Sequence, residues 1–385
     1  MIKSIEIKNF KSIKSKYFPL RNLNVLLGLN GQGKSSFIQT LLLLRQSAVS
    51  LQRGVLQLNG SEIQIGTTKD ALYQYFERNE SLSIELAFDN KSKALLEFDY
   101  TLGSDVFNQL NRDSVSEDDN QNKLDLQQPL FTEKFQYLNA NRIEPQSIHK
   151  KSFTSVFTLG NIGSKGQFTV DYLESRGSED ISFENLIHPN TPISSNNRGE
   201  MFKDKRLINQ VNLWMSEISP EISIVTSFVT SDIVKLEYEF KQKNLGKTNA
   251  FKPENVGFGI SYALHVIVAL LKAKPGDLLI IENPESHIHP RGQAELGKLI
   301  ALAAQNDVQI IIESHSDHIL NGIRVEVKKS PELKDKTILF YFDKEYAETE
   351  QYSKIINIEL DAKGELSEYP QNLLEEWSNQ LLKLL

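Results

Sequence analysis

The sequence predicts an α/β protein with a doubly wound, mainly parallel sheet, an additional antiparallel β lobe and an insertion. Two observations carry this prediction. An apolar strand pattern runs directly into a glycine-rich turn at residues 23–35, and strand and helix patterns alternate through the second half of the chain. Such alternation is typical of parallel sheets with helices on both faces, where ligands bind beyond the carboxyl ends of the strands.

Length and composition limit the classes of protein that the chain can belong to. It has 385 residues, enough for two domains or for one large α/β unit with an insertion. It has no cysteine, no secretory signal pattern and no apolar run long enough to cross a bilayer. The net charge of −7 restricts any nucleic-acid contact to a local patch. We therefore expect a cytoplasmic protein without membrane association.

The first half of the chain is predicted to contain the glycine-rich turn and most of the antiparallel strands. Residues 1–100 are assigned to the N-terminal part of the main domain and residues 101–200 to a partly flexible insertion outside the central sheet. Residues 104–128 are rich in Asp, Asn, Gln and Ser and are predicted to be an exposed loop. Strands are predicted at residues 2–7, 23–27, 82–88 and 94–100, and a helix at 34–47.

The second half is predicted to hold the C-terminal part of the main domain, residues 201–345, followed by a C-terminal extension, residues 346–385. Its apolar strand 278–281 is bounded by polar residues on both sides, as is typical of a strand buried within a parallel sheet. Helices are predicted at residues 207–218, 260–273, 291–305 and from 316, and strands within 222–240 and at 308–312 and 337–342.

The glycine-rich turn carries the most specific motif of the chain. Gly28, Gly33, Lys34 and Ser35 fit the P-loop pattern, and a strand precedes it and a helix follows it. The backbone N–H groups of such a turn form a nest for phosphates, the lysine adds positive charge, and the serine hydroxyl binds Mg²⁺. The predicted cofactors are therefore ATP and Mg²⁺. The predicted phosphate-binding residues are Gly28, Asn30, Gly31, Gln32, Gly33, Lys34, Ser35 and Ser36.

A second motif supplies an acid at the end of a buried strand. Glu282 follows the apolar residues 278–281, where a P-loop protein needs a carboxylate near its magnesium ion. A carboxylate at such a position is costly to bury without a cation or hydrogen-bond donors. We predict that Glu282 and Ser35 belong to the site of the magnesium ion. The alternative is that Glu282 faces solvent at the end of its strand and binds no metal.

Two further segments are candidates for nucleotide contacts. His315 follows the next buried strand, 33 residues after Glu282, a separation that allows one helix between two neighbouring parallel strands. It is predicted to donate a hydrogen bond to the γ-phosphate. Gly257, Gly259 and Ser261 open a helix and could form a second anion cradle, although the glycines could equally permit tight packing.

Together, these motifs resemble the heads of ABC-type ATPases, and in particular the RecF, SMC and OLD-type ATPases. The similarity implies an ABC-ATPase-like P-loop head in which Gly28–Ser35 is the Walker A motif, Glu282 ends the Walker B strand and His315 is the switch histidine. It places residues 256–261 where the signature loop lies, and so implies that two copies pair around ATP. Residues 135–145 and 358–376 resemble a branch of such ATPases found in bacterial antiphage-defence islands.

The chain departs from that family at two positions. Most ABC ATPases have a catalytic glutamate after the Walker B acid, but here Asn283 occupies this place and cannot accept a proton. Slow hydrolysis is expected, with Glu285 as a substitute base. Gly257 stands where the signature loop has its serine, so pairing is expected to be weaker or to need a partner.

Other functions remained open on the sequence alone. His287, His289, His315 and His318 could ligate a metal, and Glu313 and Asp317 could belong to a nuclease centre. A basic cluster could contact a phosphate backbone; its members are His149, Lys150, Lys151, Lys203, Lys205 and Arg206.

The resemblance implies a nucleotide-dependent switch that controls a separately encoded effector, plausibly a nuclease, in antiphage defence. The alternative is a RecF-like DNA-binding ATPase of repair or replication. A transporter ATPase subunit is disfavoured, because the opening strand and the tail resemble DNA-linked ATPases.

Overall fold

The structure is a computed structural model that describes residues 1–77, 80–110, 124–195, 201–242, 244–371, 373–374 and 381–384. The chain divides into two compact units. Unit 1 comprises Met1–Thr132, Thr337–Glu359 and Glu368–Leu385, and unit 2 comprises Glu133–Lys336 and Leu360–Ser367. The predicted α/β class with parallel and antiparallel strands is confirmed.

Unit 1 contains the predicted antiparallel β lobe. The strands are β1 (Ile2–Phe10), β2 (Ile13–Pro19), β4 (Val55–Gln57), β5 (Leu82–Phe88), β6 (Lys93–Asp99) and β7 (Val106–Gln109). They pair in the order β2-β1-β5-β6-β7-β4, and their alternating apolar residues form a buried face, as expected for a sheet that is covered on one side.

A second group of strands in unit 1 supports the glycine-rich turn. Strand β3 (Leu23–Gly28) runs parallel to β17 (Thr337–Tyr346), which in turn pairs antiparallel with β18 (Gln351–Ile358). Helix α1 (Lys34–Gln46) follows the turn and buries its apolar face. The short helices α2 (Ala48–Leu51) and α3 (Thr68–Ala71) also belong to this unit.

Unit 2 is built around parallel strands. Strand β15 (Leu278–Glu282) lies between β8 (Phe135–Leu138) and β16 (Gln309–Glu313) and pairs in parallel with both. The other strands described in unit 2 are β9 (Ile148–Lys150), β10 (Ile193–Ser195), β11 (Met201–Lys203), β12 (Ile222–Phe228), β13 (Ile233–Gln242) and β14 (Gly246–Lys247). Its helices are α4 (Thr169–Arg176), α5 (Leu207–Ile218), α6 (Phe258–Leu271), α7 (Pro290–Gln305), α8 (Asp317–Lys329) and α9 (Leu333–Lys336).

Three segments differ from the sequence-based expectation. The segment Phe135–Leu138, which was assigned to the insertion, is instead β8 and hydrogen-bonds to the strand that ends in Glu282. The predicted C-terminal extension begins with β18, which is part of a sheet. The predicted loop over residues 104–128 contains β7, and its residues 111–123 lie outside the described part of the chain.

No helix in the described part of the chain has the length and apolar character needed to span a membrane.

Candidate functional site

The glycine-rich turn in unit 1 has the backbone geometry of a phosphate-binding loop. Gly28, Gly31 and Gly33 have φ angles of 128°, 75° and 103°, a region that residues with a Cβ rarely adopt. Gly33 is the N-cap of α1, and no side chain caps this end of the helix. The turn therefore presents a helix N-terminus framed by backbone, the arrangement that binds anions.

Lys34 lies over this turn. It is 3% exposed, and its Nζ donates hydrogen bonds to the carbonyl oxygens of Gly28 (2.8 Å) and Leu29 (2.9 Å). Ser35, the next residue of α1, is exposed. The Oε1 atom of Gln32 is buried and has no hydrogen-bond partner among the described residues. A buried polar atom without a partner in this position is consistent with a ligand or water at the turn.

Ser353, for which no role was predicted, contacts the backbone of the glycine-rich turn. Ser353 in β18 is 8% exposed and donates from Oγ to the carbonyl oxygen of Gln32 (2.7 Å). Its Oγ also lies 2.8 Å from the hydroxyl of Ser12, and its N–H donates to the carbonyl oxygen of Ser12. A Cβ on Gly33 would lie 2.4 Å from Ser353 Oγ, so this support requires glycine at position 33.

A cavity of about 350 Å³ lies beside the turn, within unit 1. Gly31 lines it together with Lys11, Tyr73 and Tyr352. Burial lowers the pKa of Lys11, whose Nζ donates to Gln39 Oε1 at 2.7 Å. The volume and the mixture of rings and cations suit the sugar and base of a nucleotide.

In unit 2, the Glu282 carboxylate is held in a fixed orientation. Its Oε1 accepts a hydrogen bond from the Tyr137 hydroxyl (2.9 Å), and its Oε2 accepts one from the backbone N–H of Ala140 (3.2 Å). Both donors come from β8 and the turn that follows it. Hydrogen bonds of this kind orient a carboxylate that binds a cation.

The backbone after Glu282 is held by a buried arginine. Arg142 is 1% exposed and donates to the carbonyl oxygens of Glu282 (2.5 Å) and Asn283 (3.1 Å). Burial lowers the pKa of Arg142 to about 10. No role could be predicted for Arg142 from the sequence, because its partners lie 140 and 141 residues away along the chain.

Asn283 has a left-handed backbone conformation, with φ of 43°. Asparagine tolerates this conformation better than most residues. Its N–H donates to the carbonyl oxygen of Glu313 (2.8 Å), which joins the ends of β15 and β16. Its side-chain Oδ1 is buried without a hydrogen-bond partner in the described part of the chain.

Glu285 connects the loop after β15 to the loop that carries His315. Its Oε1 accepts a hydrogen bond from the N–H of His315 (2.7 Å), and its Oε2 accepts one from the hydroxyl of Ser314 (2.9 Å). The His315 side chain is exposed. Unit 2 therefore brings together Glu282, Asn283, Glu285 and His315. The contacts of Glu285 favour a positioning role over the predicted role as a base.

The residues of the predicted signature-like loop differ in exposure and packing. Gly257 is exposed at the N-cap of α6, and a Cβ there would meet nothing within 4 Å. By contrast, a Cβ on Gly259 would lie 2.2 Å from the carbonyl oxygen of His287, so this glycine permits close packing. Ser261 is 4% exposed and its Oγ lies 3.2 Å from the Tyr238 hydroxyl. Its burial does not fit the predicted contact with nucleotide.

The alternative sites suggested by the sequence receive little support from the contacts of their residues. Among the described residues, no group of three or more histidines and carboxylates is arranged to hold a metal ion. In the basic cluster, His149 is buried, Lys205 pairs with Glu184, and Arg206 pairs with Asp204. These contacts leave less positive charge available to a phosphate backbone.

The sequence pattern of one protein family matches residues 23–321 of the chain. That family is described as "AAA domain, putative AbiEii toxin, Type IV TA system". The chain belongs to this family. It is accordingly a P-loop ATPase domain, as its turn predicted. A second pattern, described as "Protein of unknown function (DUF3696)", matches residues 334–384, a range that includes β17 and β18.

The chain has remote structural similarity to the heads of SMC proteins. The SMC head domain from Thermotoga maritima is 11% identical, with a TM-score of 0.44, over 93% of this chain and 99% of that one. An Smc head with an extended coiled coil from Pyrococcus furiosus, bound to the C-terminal domain of ScpA, is 13% identical, with a TM-score of 0.45, over 100% and 99%. An SmcHead bound to the C-winged helix domain of ScpA is 12% identical, with a TM-score of 0.43, over 92% and 98%. No curated protein matches the chain.

Proposed function

We propose that this chain is an ATP-dependent switch that binds ATP with Mg²⁺, hydrolyses it slowly and pairs with a second copy in the ATP-bound state. The observation that carries the proposal is the phosphate-binding turn of unit 1, with its three left-handed glycines, its uncapped helix N-terminus and Lys34. Such a turn is strained for residues other than glycine, and its geometry suits phosphates.

The residues present fit ATP and Mg²⁺. In the proposed site the turn and Lys34 bind the phosphates, Ser35 contributes its hydroxyl to Mg²⁺, and the cavity beside Gly31 takes the sugar and base. The oriented carboxylate of Glu282 holds Mg²⁺ through water, and His315 donates to the γ-phosphate. The Mg²⁺ ion would neutralise charge on the transferred phosphate. Two buried atoms without partners, Gln32 Oε1 and Asn283 Oδ1, support a polar ligand at these positions.

Slow hydrolysis follows from the residues after Glu282. Asn283 supplies an amide where a base is needed, and both oxygens of Glu285 already accept hydrogen bonds from the His315 loop. We therefore propose that Glu285 positions His315 and that ATP persists long enough to report a bound state to a partner.

The proposal that the chain acts on a partner protein rests on its family membership and on the sequence resemblance. The family description names a putative toxin of a type IV toxin–antitoxin system, which is consistent with a role in defence against phage. We propose that the paired, ATP-bound form controls a separately encoded effector, with a nuclease as the leading candidate. The internal pairing of Lys205 and Arg206 makes direct DNA binding, as in the RecF-like alternative, the weaker candidate. A cytoplasmic location remains a prediction.

ATP hydrolysis by the purified protein tests the proposal. Lys34→Ala removes the cation of the turn and is expected to reduce hydrolysis by roughly a hundredfold or more, as for the loss of other groups that stabilise developing charge. The matched control is Lys328→Ala, on the exposed face of α8, which should hydrolyse ATP at the wild-type rate. Equal activity of the Lys34→Ala variant and the wild type would contradict the proposal.

A further inference from the structure

Unit 2 contains a cavity of about 460 Å³ at the amino-terminal ends of its parallel strands. Phe135, the first residue of β8, and Asp277, which precedes β15, line it. Glu282 lies at the other end of β15, about 13 Å along the strand at about 3.3 Å per residue. The cavity is therefore separate from the Glu282 carboxylate, and its volume is within the usual range for small-molecule sites.

The lining of this cavity is rich in positive charge. Four cationic side chains line it, Lys134, Arg176, Lys272 and Lys274, against the two acidic side chains of Glu133 and Asp277. Burial raises the pKa of Asp277. The Arg176 charge is partly balanced by Glu179, 2.8 Å away. The balance favours an anionic ligand.

Lys272 is the half-buried lysine of this lining, whereas Lys134 and Lys274 are exposed. Its Nζ donates to the carbonyl oxygen of Gly160 (2.9 Å) and lies 5.6 Å from the centre of the Tyr172 ring, and the charge of Asp277 balances it in part. Burial lowers its pKa to about 8. A desolvated ammonium group whose charge is balanced only in part by Asp277 is stabilised further by a bound anion.

An aromatic pair stands at the same cavity. Phe153 and Phe157 stack with ring centres 4.9 Å apart, and they are 73% and 48% exposed. Phe157 lines the cavity and belongs to a π-helical turn, Thr154–Thr158, a rare conformation that is frequent at functional sites. Exposed rings beside cations are suited to stack a planar ring whose phosphate the cations hold.

We propose that this cavity is a second anion site, which binds a small phosphate-bearing molecule with its phosphate on Lys272 and Lys274. A planar ring attached to the phosphate would stack on Phe157. The site is independent of the phosphate-binding turn in unit 1 and of the proposed ATPase function. It gives the protein a place to bind a second, distinct small molecule.

Lysine modification of the full-length protein, read residue by residue by mass spectrometry, tests this site. A lysine with a lowered pKa reacts readily with amine-directed reagents near neutral pH, since more of it is uncharged. Inorganic phosphate and AMP serve as separate probes. Both are expected to slow modification of Lys272 and Lys274 severalfold and to leave Lys328 unchanged. Unchanged rates at Lys272 and Lys274 with both probes, or equal slowing at Lys328, would overturn the proposal.

Variants make the test specific. Lys272→Met is expected to raise the AMP concentration that half-protects Lys274 by about tenfold, since charge-assisted hydrogen bonds are among the strong ones. Lys328→Met, an equal change of charge at an exposed position, should have no effect. Lys274→Met, on an exposed side chain, tests the site without disturbing the fold, through protection of Lys272. Protection at the wild-type AMP concentration in both Lys272→Met and Lys274→Met would overturn the proposal.

The two probes also distinguish the source of the phosphate. If AMP protects at lower concentration than inorganic phosphate, and Phe157→Leu removes only that advantage, the ligand is a nucleotide. Equal protection by both probes supports the phosphate group alone. Protection of Lys34 reports the turn in unit 1 separately, so failure of the ATP proposal and failure of this one are distinguishable.

Discussion

At the scale of single residues, the chemistry of unit 2 depends on how its carboxylates are held. Glu282 and Glu285 both end or follow the same strand, yet their partners differ. A tyrosine hydroxyl and one backbone N–H orient Glu282, whereas the loop that carries His315 donates to Glu285. The same residue type can therefore serve a cation in one place and position a loop in the other.

Removal of the Tyr137 hydroxyl tests the role of Glu282. We expect Tyr137→Phe to raise the Mg²⁺ concentration that half-saturates ATP hydrolysis by roughly tenfold, because groups that orient a metal ligand typically have effects of this size. Tyr341→Phe is a matched control, since it also loses a tyrosine hydrogen bond, here to the carbonyl oxygen of Gln371. An unchanged Mg²⁺ requirement in the Tyr137→Phe variant would rule out the proposed role of Glu282.

Asn283 limits hydrolysis in this account. Asn283→Glu supplies a base and is expected to raise the single-turnover rate of ATP hydrolysis by about a hundredfold. The same change puts a glutamate in a left-handed conformation, so a loss of roughly 1 kcal/mol in the free energy of unfolding is expected. Quench-flow kinetics and chemical denaturation measure the two effects. A rate no higher than that of the wild type would show that another group limits hydrolysis.

At the scale of elements, the loops after β15 and β16 are tied to each other. The N–H of Asn283 donates to Glu313, and Glu285 accepts from Ser314 and His315. The hydroxyl of Ser316 then caps α8 by accepting from the N–H groups of His318 and Ile319. Movement of His315 is thereby coupled to the loop that follows Glu282.

Glu285→Gln separates the positioning role from the catalytic one. A positioning role predicts a severalfold loss of single-turnover rate with the pH dependence retained, whereas loss of a general base costs about a hundredfold or more and removes the acid limb of the pH profile. The control is Glu332→Gln, at an exposed position before α9. A hundredfold loss with an altered pH profile would return Glu285 to the role of base.

The sequence predicted the elements with strong local signals and missed those that depend on distant partners. The turn at Gly28–Ser35 and the strand 278–282 are local patterns, and both were found. Strand β8 was missed because it is short and contains Gln136, a polar residue that is buried only because Ile162 N–H and other backbone groups satisfy it. Ser353 was missed because its partner Ser12 lies 341 residues away.

At the scale of the whole molecule, each compact unit carries part of the proposed ATP chemistry. Unit 1 holds the phosphate-binding turn, and unit 2 holds the residues assigned to Mg²⁺ and the γ-phosphate. Gly257 is an exposed residue of the signature-like loop, a Cβ there would meet nothing within 4 Å, and we propose that it meets a second copy. Its φ of −57° accommodates other residues, so Gly257→Asp should fold normally, bind ATP and fail to pair.

The most direct test of ATP-dependent pairing is the mass of the full-length protein in solution, measured by sedimentation velocity. We expect ATP with Mg²⁺ to double the mass of the wild-type protein and ADP to leave it unchanged, and we expect the Lys34→Ala and Gly257→Asp variants to keep the mass of a single chain. The same mass with and without ATP, or an ATP-dependent increase that persists in Lys34→Ala, would contradict it.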